Sequence, residues 1–227
     1  MDCPKCKSEK KIKNGVIKGI QRYKCKSCGY NYTVERRSCD YPLSTKKKAL
    51  QLYLEGLGFR SIGRLLGVSN VSVLNWIKAF GNEVSSLQRE SQDIEMVEVD
   101  EMHSYIGHKK YCWIWIAVDR YGKRFLHFVI GDRSTKTAKK FWEGIKDNQM
   151  KTIASDYWKP YKAIIPRDKH VQSKAKTFTV EGYNSLFRHF LARMRRKSKC
   201  YSKSIKMLEL SMLLLMHYRN KTLSTLD

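Results

Sequence analysis

Apolar positions along the chain change their spacing, and the changes divide it into blocks. Through residues 1–40 they form only short alternating stretches among cysteines, lysines and glycines. From 42 to 82 the spacing is helical. Ala49, Leu50, Tyr53 and Leu54 predict a first helix, capped by Ser44 or Thr45 and ended by Gly56. Phe59–Leu66 predicts a short second helix, and Gly67-Val68-Ser69 a tight turn. Val71–Phe80 predicts a third helix, with Val71, Leu74, Ile77 and Phe80 inward. Its outward residues are then Asn70, Ser72, Val73, Asn75, Trp76 and Lys78. The polar stretch 83–93 reads as a linker or the end of a helix. Beyond it, strands come first. Ile94–Asp100 alternates, and Tyr111–Asp119 is almost continuously apolar or aromatic, as a central strand is. Tyr121-Gly122-Lys123 then turns into a third strand, Arg124–Ile130. A helix from Asp132 or Ser134 to about Asp147 and a strand at Met150–Ser155 follow. A short helix at Tyr157–Ile164 and long helices at 179–196, capped by Thr179, and 202–220 complete a mixed α/β pattern.

Cys3-Pro4-Lys5-Cys6 and Cys25-Lys26-Ser27-Cys28 are two C-x-x-C knuckles with eighteen residues between them. Each turns tightly enough to bring both sulfurs to one metal, and two such hairpins close a tetrahedral thiolate site for Zn2+. Gly29 stands where the second knuckle needs a residue free to take positive φ. Two local disulfides or a redox pair are the alternatives. The redox reading wants a thioredoxin-like strand and helix nearby, and the pattern offers none. Residues 1–40 hold too few apolar side chains to fold unaided, so the metal would supply the folding energy. The expectation is a zinc ribbon over 1–40, facing either DNA or protein. Cys39, Cys112 and Cys200 read as ordinary small side chains.

Lys and Arg number 45 against 21 Asp and Glu, a formal net charge of +24. Such an excess repels itself in a compact fold, and a polyanion partner relieves it. Nucleic acid is the leading candidate. A membrane suits the chain less: no apolar run reaches spanning length, and no basic amphipathic helix stands alone at either end. No apolar stretch follows the N-terminus as in a secretory signal, so a cytoplasmic, nucleoid-associated prokaryotic protein is expected. Given this charge, the helices of 42–82 read as a helix-turn-helix, with a plain packing module as the alternative. Ser72 and Asn75, beside Asn70 and Trp76, would reach base edges, and Arg60, Arg64 and Lys78 would hold phosphates. A basic C-terminal set that includes Arg188, Arg193, Arg195 and Arg196 would clamp phosphates or form a solvated face.

The order of elements over 94–227 is that of an RNase H-like core, and its acids are few. Phosphodiester chemistry uses divalent metals about 3.5–4 Å apart on acidic side chains. Asp100 closes the first strand, with Glu98 on its face and Glu101 on the opposite face with Val97 and Val99. Asp156 lies just past the fourth strand, at a sheet rim where sites form. Glu181 lies in the first turn of a helix, on one face with Asn184 and Arg188; helix dipoles alone also favour an acid there. Asp119, Asp132 and Asp168 are explained by a turn, a cap and a loop.

With these residues in view, the chain resembles transposases of the insertion sequence 1 family over nearly its whole length. The likeness is sharpest in Val99-Asp100-Glu101, in Gly131-Asp132-Arg133-Ser134 with Lys136-Thr137, in His170…Lys174…Thr177…Glu181…Asn184…Leu186, and in Tyr201-Ser202-Lys203-Ser204. The resemblance implies a zinc ribbon and helix-turn-helix ahead of an RNase H-like domain. It makes Asp100, Asp156 and Glu181 a triad for two Mg2+ ions, with Mn2+ as a substitute. Lys174, Asn184 and Arg188 would then lie near DNA, whereas His170 reads as a loop residue. The best-known members carry Arg after the triad Glu, where Gly182 stands here. The implied partners are double-stranded DNA, as element ends and target, and a second copy of the chain. Rival readings are a structure-selective nuclease of the same fold and a DNA-binding regulator without catalysis.

Overall fold

In the computed structural model, residues 2–17, 19–33, 41–84, 93–107, 110–198 and 200–226 are described. The chain divides into two compact units, 1–42 and 43–227. The first is a small antiparallel sheet of β1 (Lys11–Ile17), β2 (Ile20–Cys25) and β3 (Asn31–Thr33). Its core is Cys3, Cys25 and Tyr32, with Tyr23 packed against them. Ordering a residue costs about 1–2 kcal/mol of backbone entropy, and burying a large apolar side chain returns only about 1.5–3. A core of that size cannot hold the unit, so further stabilisation has to come from the cysteines. Cys39 lies outside the described residues.

The second unit opens with three helices, α1 (Leu43–Leu54), α2 (Phe59–Leu66) and α3 (Asn70–Glu83). Ser69 caps α3 by accepting from the Ser72 amide at 2.9 Å. The register of α3 differs from the expected one. Val73, Ile77, Phe80 and Gly81 face the core, so Val73 is fully buried while Val71 is 56% exposed. The i, i+4, i+7, i+8 stripe runs through Val73, because the helix packs against other helices on that side rather than standing alone. Most of the expected linker, residues 85–92, lies outside the described residues.

The larger sheet contains β4 (Asp93–Ile106), β5 (Lys110–Asp119), β6 (Arg124–Gly131), β7 (Gln149–Ser155) and β8 (His170–Gln172), in the order β6-β5-β4-β7-β8. The first three are antiparallel, and β7 and β8 run parallel to β4. β8 was expected as a loop; its three residues are too few to show a period. Helices α4 (Thr135–Glu143) and α5 (Lys159–Ile164) cover one face, where Trp115, Ala117, Val97 and Val99 are buried. On the other face, Cys112, Ile114, Ile116 and Val118 share a core with α6 (Phe178–Phe190), α7 (Ile205–Arg219) and the three N-terminal helices. The alternating side chains of β5 thus serve two cores, which explains its continuous apolar run.

α6 stops at Phe190 instead of reaching 196. Leu191 is extended, a 3-10 turn at Ala192–Met194 follows, and Arg193 is buried. Its Nε donates to the Tyr53 hydroxyl at 2.7 Å and its Nη1 to Ser202 Oγ at 2.9 Å. The Tyr53 hydroxyl in turn donates to Ser211 Oγ at 2.7 Å. Arg193 is therefore a strut between α1 and the C-terminal segment, not the phosphate clamp expected of it. At Gly56, φ is +92° and a Cβ would lie 2.8 Å from Arg195 Nη2 and 2.9 Å from the His189 carbonyl oxygen. α1 and the end of α6 meet there at a distance that admits only glycine.

Candidate active site

β4 and β7 run side by side in parallel, with Glu98 paired to Ala154. Two residues further along stand Asp100 and Asp156. Asp100 lies in the middle of β4, which runs on to Ile106 instead of closing at Asp100 as expected. Asp156 lies just past the carboxyl end of β7, so the register brings the two carboxylates together where β7 ends. Glu101 completes the group: oxygens of Asp100, Glu101 and Asp156 lie within 4.8 Å of one another. The pleat sends Glu101 toward the opposite face, but two partners draw its carboxylate to the rim. Tyr161 donates its hydroxyl to Glu101 Oε2 at 2.7 Å, and Arg133 donates Nε to Oε1 at 2.9 Å. The Glu101 side chain is 2% exposed. The Arg133 guanidinium lies 4.6 Å from the Trp113 ring and 4.4 Å from the Trp158 ring, which holds it against the acid. Asp156 Oδ1 accepts the Trp158 amide at 2.9 Å.

Burial, followed by the neighbouring Glu101 charge, pushes the Asp100 carboxyl up to about 7, with Asp156 and Glu181 adding to the rise. Burial also raises Glu101, against the bonds from Tyr161 and Arg133. Crowded carboxylates of this kind form a hard-oxygen donor set whose mutual repulsion a divalent cation relieves, so the residues fit such an ion.

Glu181 lies in the first turn of α6, exposed, outside the group of three but near enough for its charge to act on Asp100. One turn on, the buried Asn184 donates Nδ2 to Asp100 Oδ2 at 2.7 Å. Its Oδ1 has no hydrogen-bond partner among the described residues. The expected Thr179 cap is absent: α6 starts at Phe178, and Thr177 makes no side-chain cap. Instead Glu98, fully buried on β4, accepts the Val180 amide at 2.8 Å and faces Arg120 at 3.4 Å. Two acids of one strand face thus lace α6 to the sheet. Arg188 is half-buried further along α6, and its pKa is lowered by burial and by Arg196, while Asp100 opposes the shift.

The other expected residues are spread more widely. Lys174 is exposed in a 3-10 turn, and Arg196 is exposed. Arg195 is exposed and donates to the Gly56 carbonyl at 3.0 Å. His170 is on β8, hydrogen-bonded to Ser155 Oγ at 2.8 Å, not in a loop. Arg60, Arg64, Asn70, Asn75 and Lys78 are exposed, and Ser72 is half-buried beside its cap. Trp76 is partly buried against the core. Sequence reasoning missed Glu101, Arg133 and Tyr161. The adjacency of Glu101 to Asp100 was a signal, set aside because strand alternation separates neighbours.

In the first unit, the sulfurs of Cys3, Cys6, Cys25 and Cys28 all lie within 4.8 Å of one another. The Cys28 amide is the main cause that brings the Cys25 thiol down to about 6, against burial. Gly29 takes φ +71°, as the knuckle requires. Four sulfurs at this spacing, one held toward thiolate by backbone amides, fit a tetrahedral metal site.

Residues 94–222 match the family described as IS1 transposase. Insertion element IS1 4 protein InsB of Escherichia coli (strain K12) is 33% identical over 137 residues, covering 60% of this chain and 80% of that protein. Insertion element iso-IS1n protein InsB of Shigella dysenteriae is 29% identical over 113 residues, covering 49% and 86%. A chain in the cryoEM structure of simian T-cell lymphotropic virus intasome in complex with PP2A regulatory subunit B56 gamma aligns with a TM-score of 0.40 and 13% identity. That alignment covers 74% of this chain and 66% of that one. Among the described residues, no helix is long and apolar enough to cross a membrane.

Proposed function

The chain belongs to the IS1 transposase family, and from that premise we propose that it binds the inverted-repeat ends of its element, cuts a DNA strand there and joins the freed end to target DNA. The observation that carries this reading is the meeting of Asp100, on β4, and Asp156, at the end of the adjacent parallel β7. The strand order, three antiparallel strands followed by two parallel ones, supports an RNase H-like domain.

Asp100, Asp156 and Glu181 form the proposed triad, with Glu101 as a further oxygen donor beside it. These residues would hold Mg2+, or Mn2+ in its place; when bound, such ions stabilise charge on the attacking and leaving oxygens. Asn184 holds one oxygen of Asp100, and Arg133 and Tyr161 hold Glu101, so the acids are oriented before DNA arrives. In the first step water attacks a phosphorus, the P–O3′ bond breaks, and the 3′ oxygen leaves as a hydroxyl. In the second that hydroxyl attacks a target phosphorus and displaces the target's own 3′ oxygen. Cys3, Cys6, Cys25 and Cys28 would hold a structural Zn2+.

The helices α1–α3 are proposed as the helix-turn-helix, with Asn70, Ser72 and Asn75 toward bases and Arg60, Arg64 and Lys78 toward phosphates. Lys174, Arg188, Arg195 and Arg196 would hold the strand near the acids. Because two ends must be joined, at least two protomers take part.

The test is Asp156→Asn on labelled element ends. It should abolish release of the 3′ end and its joining while leaving DNA binding intact. Unchanged cleavage would refute the proposed triad. Cleavage without joining by the wild type would point to the nuclease instead.

A further inference from the structure

Past the rim of the sheet, β4 and β5 continue together as a ribbon. β7 pairs with β4 only as far as Glu98, and β6 pairs with β5 only from Trp113 onward. One face of this ribbon is buried through Met102, Cys112 and Ile114. The other carries rings in register, Tyr105 opposite Tyr111 and His103 opposite Trp113. They form a continuous file. The Tyr105 and Tyr111 centroids are 4.8 Å apart, His103 lies 5.8 Å from Tyr111, and His103 lies 5.6 Å from Trp113. Tyr111 is 65% exposed. A fold gains little from a phenol ring left so largely in water.

We propose that this ring face is a stacking site for unpaired nucleobases of the DNA strand whose backbone reaches the acid group. The inference rests on the DNA-processing reading above and adds the form of DNA it engages. Aromatic rings bind the flat faces of bases with little regard to sequence, and a base in a duplex has those faces already covered.

Position and charge favour a strand over other occupants. Glu101 lies on the same side of the pleat as His103 and Tyr105, so the ring file begins where the acids end. Four residues of strand from Glu101 to Tyr105 span roughly 14 Å, about four stacked nucleotides. Cations flank the file. Arg133 rests on Trp113 and is 41% exposed, and the charges of Arg188 and Arg196 bear on His103. A partner that presents planar apolar faces along an anionic backbone matches both features; a second copy of this strongly basic chain does not.

The test uses the full-length, zinc-loaded protein without added Mg2+ or Mn2+, so that the strand stays whole. One probe is a duplex ending in four unpaired nucleotides that contain 2-aminopurine, and the other is its fully paired counterpart. The wild type should bind the frayed probe about tenfold more tightly and quench its fluorescence. Tyr111→Ala should lose both the preference and the quench while binding the paired duplex as before, and Tyr111→Phe should keep them. Equal binding of the two probes by the wild type, or an unchanged preference in Tyr111→Ala, overturns the stacking site and leaves the DNA reading standing. Failure to bind either probe overturns both. A change in sedimentation of Tyr111→Ala with no change in probe preference assigns the face to a second copy and overturns the proposal.

Discussion

Asp100 carries the clearest energetic signature of any single residue. Its carboxyl is pushed to about 7 in the folded chain, from an ordinary value of 3.8. Between those values the folded state keeps a proton that the unfolded state has lost. Stability therefore falls as pH rises from about 4 to about 7 and stays low above, by an amount on the order of a few kcal/mol. Asn at this position mimics the protonated acid. Asp100→Asn should accordingly raise the melting temperature of the chain free of divalent ions more at pH 8 than at pH 6, as calorimetry would read it. An equal rise at both values would deny the strain ascribed to the ionised form. Glu98, two residues back, stabilises the fold by accepting an amide that no local cap reaches. Removing it in Glu98→Ala should cost about 2–3 kcal/mol in urea denaturation, and Glu98→Gln, which keeps the acceptor, clearly less.

At the scale of elements, what could be read in advance was whatever depends on local pattern. The strands at 94–100, 111–119 and 124–130 lie inside β4, β5 and β6, and Ser134, one of the two caps expected there, caps α4 through its own side chain. What escaped reading depends on distant partners. The start of α6 is set by Glu98, its end by the pull of Tyr53 and Ser202 on Arg193, and the place of Glu101 by Arg133 and Tyr161. The face of α3 turned on packing as well: alternative stripes through Val71 and Val73 are equally apolar, and only the neighbouring helices choose between them. Asp156 was legible because it sits just past the end of β7, and Asp100 as the acid that ends the alternating run 94–100, although the strand itself runs on to Ile106; no periodicity reports that Glu101 bends back. The cysteine unit depends least on packing. Chelation should expose all four thiols of Cys3, Cys6, Cys25 and Cys28 to a thiol reagent, while the melting transition of 43–227 persists. Thiols that stay protected after chelation would argue against a metal there.

For the whole molecule, the net charge of +24 makes the proposed DNA binding open to a salt test. Each phosphate neutralised by Lys or Arg adds about 0.9 to the slope of log affinity against log salt. If Arg60, Arg64 and Lys78 hold phosphates, changing all three to Ala should lower that slope by about 2 to 3 and leave the melting temperature within about a degree. A uniform loss of affinity with an unchanged slope would place the phosphate contacts elsewhere.

The Tyr53–Arg193–Ser211 knot and the close approach at Gly56 join the first helix to the body that bears the acids. A recognition surface on α3 would then ride on the cutting site as one jaw of a caliper rides on the other. On the proposed function, the spacing between the bases read and the bond severed would be a fixed gauge of the fold. Residues inserted within 85–92 would then leave the position of the cut unmoved, whereas loosening the knot would let it wander.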